Sequence, residues 1–188
     1  LEEVTGRSAS ALDAAFRADL FQSLAPYRGQ YLPTQSLAGT PVPGARGAHA
    51  EAARGVAALA AGDLDGARRA LARARATRHP TPDDEADTLF LAGELALAQR
   101  DADAVVSAFE GLLGLEPPHD GYDVQVRLGL AELHRHHLAA AEAHLRRAVE
   151  LDPNRVEPRG LLAELYADQR REPERLAMLE GALLLDPM

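Results

Sequence analysis

A chain of 188 residues without cysteine has neither disulfides nor thiolate metal sites to hold it. Its hydrophobic residues make up 46% of the chain with only 4% aromatic and no tryptophan, so alanine and leucine dominate and a helical core is indicated over a sheet. The formal charge of −9 disfavours nucleic acid, which needs a basic face, and no run of about 18 apolar residues exists to insert into a membrane.

The first element in chain order is a helix from about Ala9 to Leu24. Ser10 with Asp13 three residues on forms a capping-box pattern, Leu12, Phe16 and Leu20 follow at helical spacing, and Pro26 ends the run. Residues 1 to 20, Leu-Glu-Glu-Val-Thr-Gly-Arg-Ser-Ala-Ser-Ala-Leu-Asp-Ala-Ala-Phe-Arg-Ala-Asp-Leu, resemble the closing helix of gluzincin-type zinc metallopeptidase domains of the bacterial peptidase MA kind. That resemblance implies a chain that positions substrate as the C-terminal part of a larger enzyme. The His-Glu-x-x-His zinc motif is absent, so no catalytic residue is carried over. A capping helix for whatever follows is the other reading of the same segment. The chain begins at Leu1 without a signal-like apolar core and reads as a piece of something longer. The compartment is left open, while the use of arginine for all 20 basic residues reads as GC-rich bacterial coding. Residues 33 to 47 hold the densest proline and glycine in the chain and are expected to form a linker or a strap.

From residue 48 onward a helix-turn-helix unit recurs. The Leu-Asp-Pro at Leu151, Asp152 and Pro153 returns at Leu185, Asp186 and Pro187, 34 residues later. Counting back from each proline, one unit starts at Tyr122 and carries Leu128, Gly129, Ala141, Leu145 and Ala148. The next, from Val156, carries Leu162, Ala163, Tyr166, Leu179 and Ala182, with Arg175 where a small residue is usual. Earlier units from about Ala48 and about Ala86 supply Gly55, Ala67, Leu71 and Ala74, then Gly93, Phe109 and Pro117. Small residues at these offsets let two helices close to about 8–10 Å, with Gly55, Gly93 and Gly129 expected to face the second helix of their pair. Leu71, Phe109, Leu145 and Leu179 are then expected to reach toward the next pair, because one pair cannot bury its apolar face alone.

This pattern resembles the tetratricopeptide repeat (TPR) family. The resemblance implies an all-α, right-handed α-solenoid of about four TPR units, at about 48–81, 86–119, 122–155 and 156–188, preceded by the N-terminal helix of residues 1–32 and the 33–47 linker. A non-repeating alanine-rich bundle is what helical periodicity alone would also allow. Beyond the fourth unit Leu176, Leu179 and Leu183 lack a neighbour, which points to a further repeat, a partner chain, or a homodimer through the uncapped last helix.

In a TPR array the first helix of each unit lines a concave groove. Carried onto this chain, the groove positions include Val56, Leu59, Asp87, Phe90, Glu94, Leu97, Asp123, Val126, Leu130, Leu133, Glu157 and Glu164. They give an apolar floor and an acidic rim, suited to a protein or peptide with aliphatic anchors and basic flanks. Filling of the groove by the N-terminal segment, with the array acting as an assembly element, is the alternative. The clamp of lysine, arginine and asparagine side chains with which some TPRs grip a terminal carboxylate is not present, since Ala52, Val56, Leu91, Asp123 and Arg127 stand at its positions and only Arg127 fits.

Catalytic chemistry finds no footing. Without lysine there is no P-loop, without cysteine no thiol nucleophile, and the five serines sit in no Gly-x-Ser-x-Gly elbow. His134, His136 and His137 cluster at a turn with His144 nearby, but no carboxylate stands at ligand spacing beside His134 and His137, so they are read as surface histidines. No enzyme activity, metal or cofactor is expected. The arginines of the first unit, Arg68, Arg69, Arg73, Arg75 and Arg78, spread round more than one face and are read as solvated.

Overall fold

The computed structural model describes residues 47–185. Eight helices run through them: α1 (Ala48–Ala60), α2 (Leu64–Arg75), α3 (Pro82–Gln99), α4 (Ala102–Leu113), α5 (Tyr122–His134), α6 (Leu138–Leu151), α7 (Glu157–Asp168) and α8 (Glu172–Leu183). No strand occurs among the described residues. Each odd-numbered helix packs against the even-numbered one after it, and each pair stacks on the next. The expected N-terminal helix, the linker up to residue 46 and the end of the chain from residue 186 lie outside the described residues.

Local signals set the helix starts. Asp63 and Asp101 accept the N–H groups of Gly66 and Ala104 at 2.7 and 3.0 Å, capping α2 and α4. Thr81 and Asp84 form a reciprocal capping box ahead of Pro82, the first residue of α3. At the corresponding places before α6 and α8 stand His137 and Arg171, whose side chains cap nothing. They reach elsewhere: His137 Nδ1 lies 2.8 Å from Glu132 Oε2, and Arg171 Nη1 donates to Glu142 Oε2 at 2.6 Å.

The turns inside the four pairs share one geometry. The N–H groups of Gly62, Arg100, His136 and Arg170 donate to the carbonyls of Leu59, Leu97, Leu133 and Ala167 at 2.9 to 3.0 Å. Those of Asp63, Asp101, His137 and Arg171 reach back to Ala58, Ala96, Glu132 and Tyr166 at 2.8 to 3.0 Å. The first residue of each set is left-handed, with φ of 76°, 58°, 59° and 57°. This closure satisfies carbonyls that a helix end would otherwise orphan, and it favours glycine. Only Gly62 is one, so glycine spacing alone does not reveal the repeat of the turn.

The core is three clusters at successive junctions. Ala52, Ala67, Ala70, Leu71, Leu91 and Leu95 join α1, α2 and α3. Val105, Val106, Phe109, Leu112, Val124 and Leu128 join α4 to α5. Ala141, Leu145, Leu162, Leu165 and Tyr166 join α6 to α7. Each draws on two units, which is why stacking rather than any single pair supplies the hydrophobic burial.

The glycines depart in part from expectation. A Cβ at Gly93 would stand 2.6 Å from Phe109 Cε2, and one at Gly129 would stand 2.7 Å from Leu145 Cδ2. Phe109 and Leu145 therefore lie over the first helix of their own pair instead of pointing only toward the following one. Gly55 faces a residue of the next unit, Leu91 on α3, rather than Ala67 of its partner helix. The small residues of α1 let α3 approach closely, and α1 packs on α3 as well as on α2.

The fourth pair closes the described array loosely. Arg175, at the position that Ala67 and Ala141 hold in the first and third units, pairs with Glu172 at 2.6 Å. None of α8 is buried, and Leu176 and Leu183 are 47% and 57% exposed.

Candidate peptide-binding groove

The groove positions on α1, α3, α5 and α7 differ in their surroundings. Val56 and Leu59 are half-buried, packed against the Leu91 and Leu95 cluster. Leu133 is likewise half-buried against the α6 and α7 cluster. Val126 is almost fully buried, whereas Glu164 and Glu157 are exposed. Asp87 is buried beside His49, and Phe90, Glu94, Leu97, Asp123 and Leu130 gather around two features that the sequence did not display.

The first is Arg127 on α5. Its guanidinium lies 5.7 Å from the centre of the Phe90 ring and 5.9 Å from that of Phe109, with the two rings edge-on at 6.2 Å. Its Nε donates to Glu94 Oε1 at 2.6 Å and its Nη1 to the Asp123 carbonyl at 3.2 Å. A single cation thus brings Phe90, Glu94 and Asp123 together and stacks on the aromatic floor. Its fit to the clamp pattern was the only signal in the sequence, and the groove positions did not include it.

The second is a cavity of about 660 Å³ between the end of α3, the start of α4 and the end of α5. Leu97, Val105, Leu130, Ala102 and Ala131 line it, with Arg100 and His134 at its polar side. Leu97, Leu130 and His134, all at groove positions of the first helices, are brought to one pocket by the fold.

The acidic rim is thinner than the sequence implied. Asp87 is 4% exposed, and its carboxylate meets His49 Nδ1 of α1 at 2.6 Å. Burial pushes Asp87 above its ordinary carboxylate value, partly opposed by His49. Glu94 is neutralised by Arg127, and Glu157 accepts from the Tyr122 hydroxyl at 3.3 Å. Burial, with the charge of Glu157, pushes the Tyr122 phenol up to about 12. The exposed carboxylates of Glu157 and Glu164, with that of Asp123, which lies 3.7 Å from Arg127 Nη1, carry what acidity the groove presents.

Elsewhere the polar groups serve the frame. His144 Nδ1 meets Gln125 Oε1 at 2.8 Å, and burial lowers its pKa. His119 is 5% exposed with Nδ1 unpartnered, and burial lowers it as well. Among the described residues, no group of three or more His, Asp or Glu side chains is arranged to hold a metal ion, and no helix is long and apolar enough to cross a membrane. The peptidase-like segment at residues 1 to 20 lies outside the described residues.

No family model matches the chain, and no curated protein does. Solved structures do. The MamA protein superposes with a TM-score of 0.64 at 19% identity over 74% of this chain and 73% of that one. YrrB, described as a TPR protein with an unusual peptide-binding site, gives 0.60 at 15% identity over 74% and 69%. A chain of the APC/C hetero-tetramer Cut9-Hcn1 gives 0.61 at 17% identity, over 74% of this chain and 27% of that one. With four stacked helix pairs closed by one repeated turn, and with these structural relatives, the chain has the fold of the tetratricopeptide-repeat α-solenoids.

Proposed function

We propose that this chain is a non-catalytic scaffold that binds a protein or peptide in the groove formed by α1, α3, α5 and α7. The carrying observation is apolar surface left partly open along these helices, at Val56, Leu59, Phe90, Leu97, Leu130 and Leu133. A single-domain interior would close such surface, and a helix-lined groove offers it to aliphatic anchors. Asp123, Glu157 and Glu164 favour basic flanks on the partner. The description of YrrB as peptide-binding supports the same reading.

Selection from a displayed peptide library tests it. The chain is expected to enrich segments with aliphatic and basic residues, and a Phe90→Arg, Leu130→Arg variant that keeps its helical circular dichroism is expected to enrich none of them. Equal enrichment by both proteins sinks the groove as the binding site.

A second reading is favoured by the exposure of Leu176 and Leu183 on α8, namely that this face joins the chain to another copy of itself. Solution mass across a concentration series tests it, with Leu176→Arg expected to hold the chain at monomer mass.

A further inference from the structure

The cavity between the second and third units has an apolar floor and a charge imbalance at its mouth. A second cavity of about 660 Å³ shares Arg100, Ala102 and His134 with it and continues over Gln99, Asp101, Asp103 and Arg135. The two form one path from an apolar to a polar lining.

Every carboxylate along that path is already engaged. Asp101 caps α4 through the Ala104 N–H at 3.0 Å. Asp103 meets Arg135 Nε at 2.8 Å, while Glu132 meets Arg135 Nη1 and His137 Nδ1, each at 2.8 Å. Those pairs also occupy Arg135 and His137. Arg100 and His134 are exposed and, among the described residues, make no side-chain hydrogen bond or ion pair. A cation at a helix C-terminus is favoured by the helix dipole, which accounts for charge there. It does not account for an apolar cavity of ligand size beneath that charge.

Resting on the groove reading above, we propose that this cavity seats an aliphatic side chain of the peptide ligand, with the carboxylate of an adjacent Asp or Glu held by Arg100 and His134. The partner then has a direction. Asp123, at the other end of α5, lies about 16 Å from His134 at 1.5 Å per residue, which an extended peptide spans in about five residues. The ligand class is a segment with a basic residue about five positions from an aliphatic-acidic pair.

The test uses the 188-residue chain and two probes. Hexanoate, hexanol and hexylamine are titrated while methyl resonances are followed by NMR, and the peptide selection is repeated on Arg100→Asn, which suits the left-handed backbone at that position. Expected are saturable shifts centred on Leu97, Val105 and Leu130, hexanoate about three-fold or more tighter than hexanol as an exposed ion pair allows, and loss of that preference in Arg100→Asn. Arg100→Lys, which restores the charge, is expected to recover it. The selected peptides are expected to carry the acidic residue with the parent chain and to lose it with Arg100→Asn. Hexanol binding as tightly as hexanoate, or enriched peptides with no acidic residue, overturns the inference and leaves the groove standing. Absence of any enriched peptide counts against the groove itself, and the inference falls with it.

Discussion

One substitution made at two places separates packing from helix propensity. Gly93 on α3 and Gly160 on α7 are both interior to helices, and replacing either by alanine removes the entropic handicap of glycine, worth about 0.5–1 kcal/mol. At Gly160 a Cβ would meet nothing within 4 Å, so that gain should appear in full. At Gly93 it would stand 2.6 Å from both Cε2 and Cζ of Phe109. Phe109 has no accessible surface, is edge-on to Phe90 and lies beneath Arg127, so the ring has no void to move into. Overpacking of this kind costs about 1–3 kcal/mol, more than the propensity gain. Gly160→Ala is therefore expected to raise the thermal midpoint and Gly93→Ala to lower it, at about 2–4 °C per kcal/mol for a chain of this length. Circular dichroism melts measure both. Adding Phe109→Leu to Gly93→Ala should recover part of the loss, because the two positions touch and are coupled. If Gly93→Ala melts as high as Gly160→Ala, the close approach of α3 and α4 is not what glycine serves there.

Other outcomes follow from buried and paired groups. His119 and His144 are held below the ordinary 6.5 by burial, so as pH falls the unfolded chain takes up their protons first. The stability they contribute is present above about 6.5 and drains as pH falls toward their folded values, and His119→Phe is expected to flatten urea-unfolding stability between about pH 7 and 5. An unchanged slope would show that His119 is not buried neutral. Glu142 is held below its ordinary 4.5 by the Arg171 hydrogen bond, so its contribution is present above that value and is lost as pH falls below it. Arg171→Ala should make that acid loss shallower, measured by the same titration at lower pH. At His136, where φ is 59°, glycine removes a left-handed strain of about 1–2 kcal/mol, so His136→Gly should raise the melting midpoint and His136→Val lower it. A midpoint that does not distinguish the two excludes strain at that turn.

The helices and their repetition were legible in the sequence. A helix is written in contacts three and four residues apart, and a solenoid in the return of small and large residues at one period, so Gly129, Leu145 and Pro153, returning as Ala163, Leu179 and Pro187 34 residues later, announced it by spacing alone. In the last two pairs the first helices, α5 and α7, begin at Tyr122 and Glu157. The groove was legible only as a set of positions. Whether Asp87 faces solvent or His49, and whether Glu94 is free or held by Arg127, depends on side chains 38 and 33 residues apart in the chain. Those separations meet only when the units stack in one register, and no local pattern carries that register. The same holds for Gly55, whose neighbour Leu91 belongs to the next unit, and for the cavity that joins Leu97 to Leu130. The sequence by itself determined a stack of helix pairs with a face to spare. The tertiary structure decided which side chains on that face are spent on the fold, as Asp87 is on His49 and Glu94 on Arg127, because only packing brings distant charges within reach of one another.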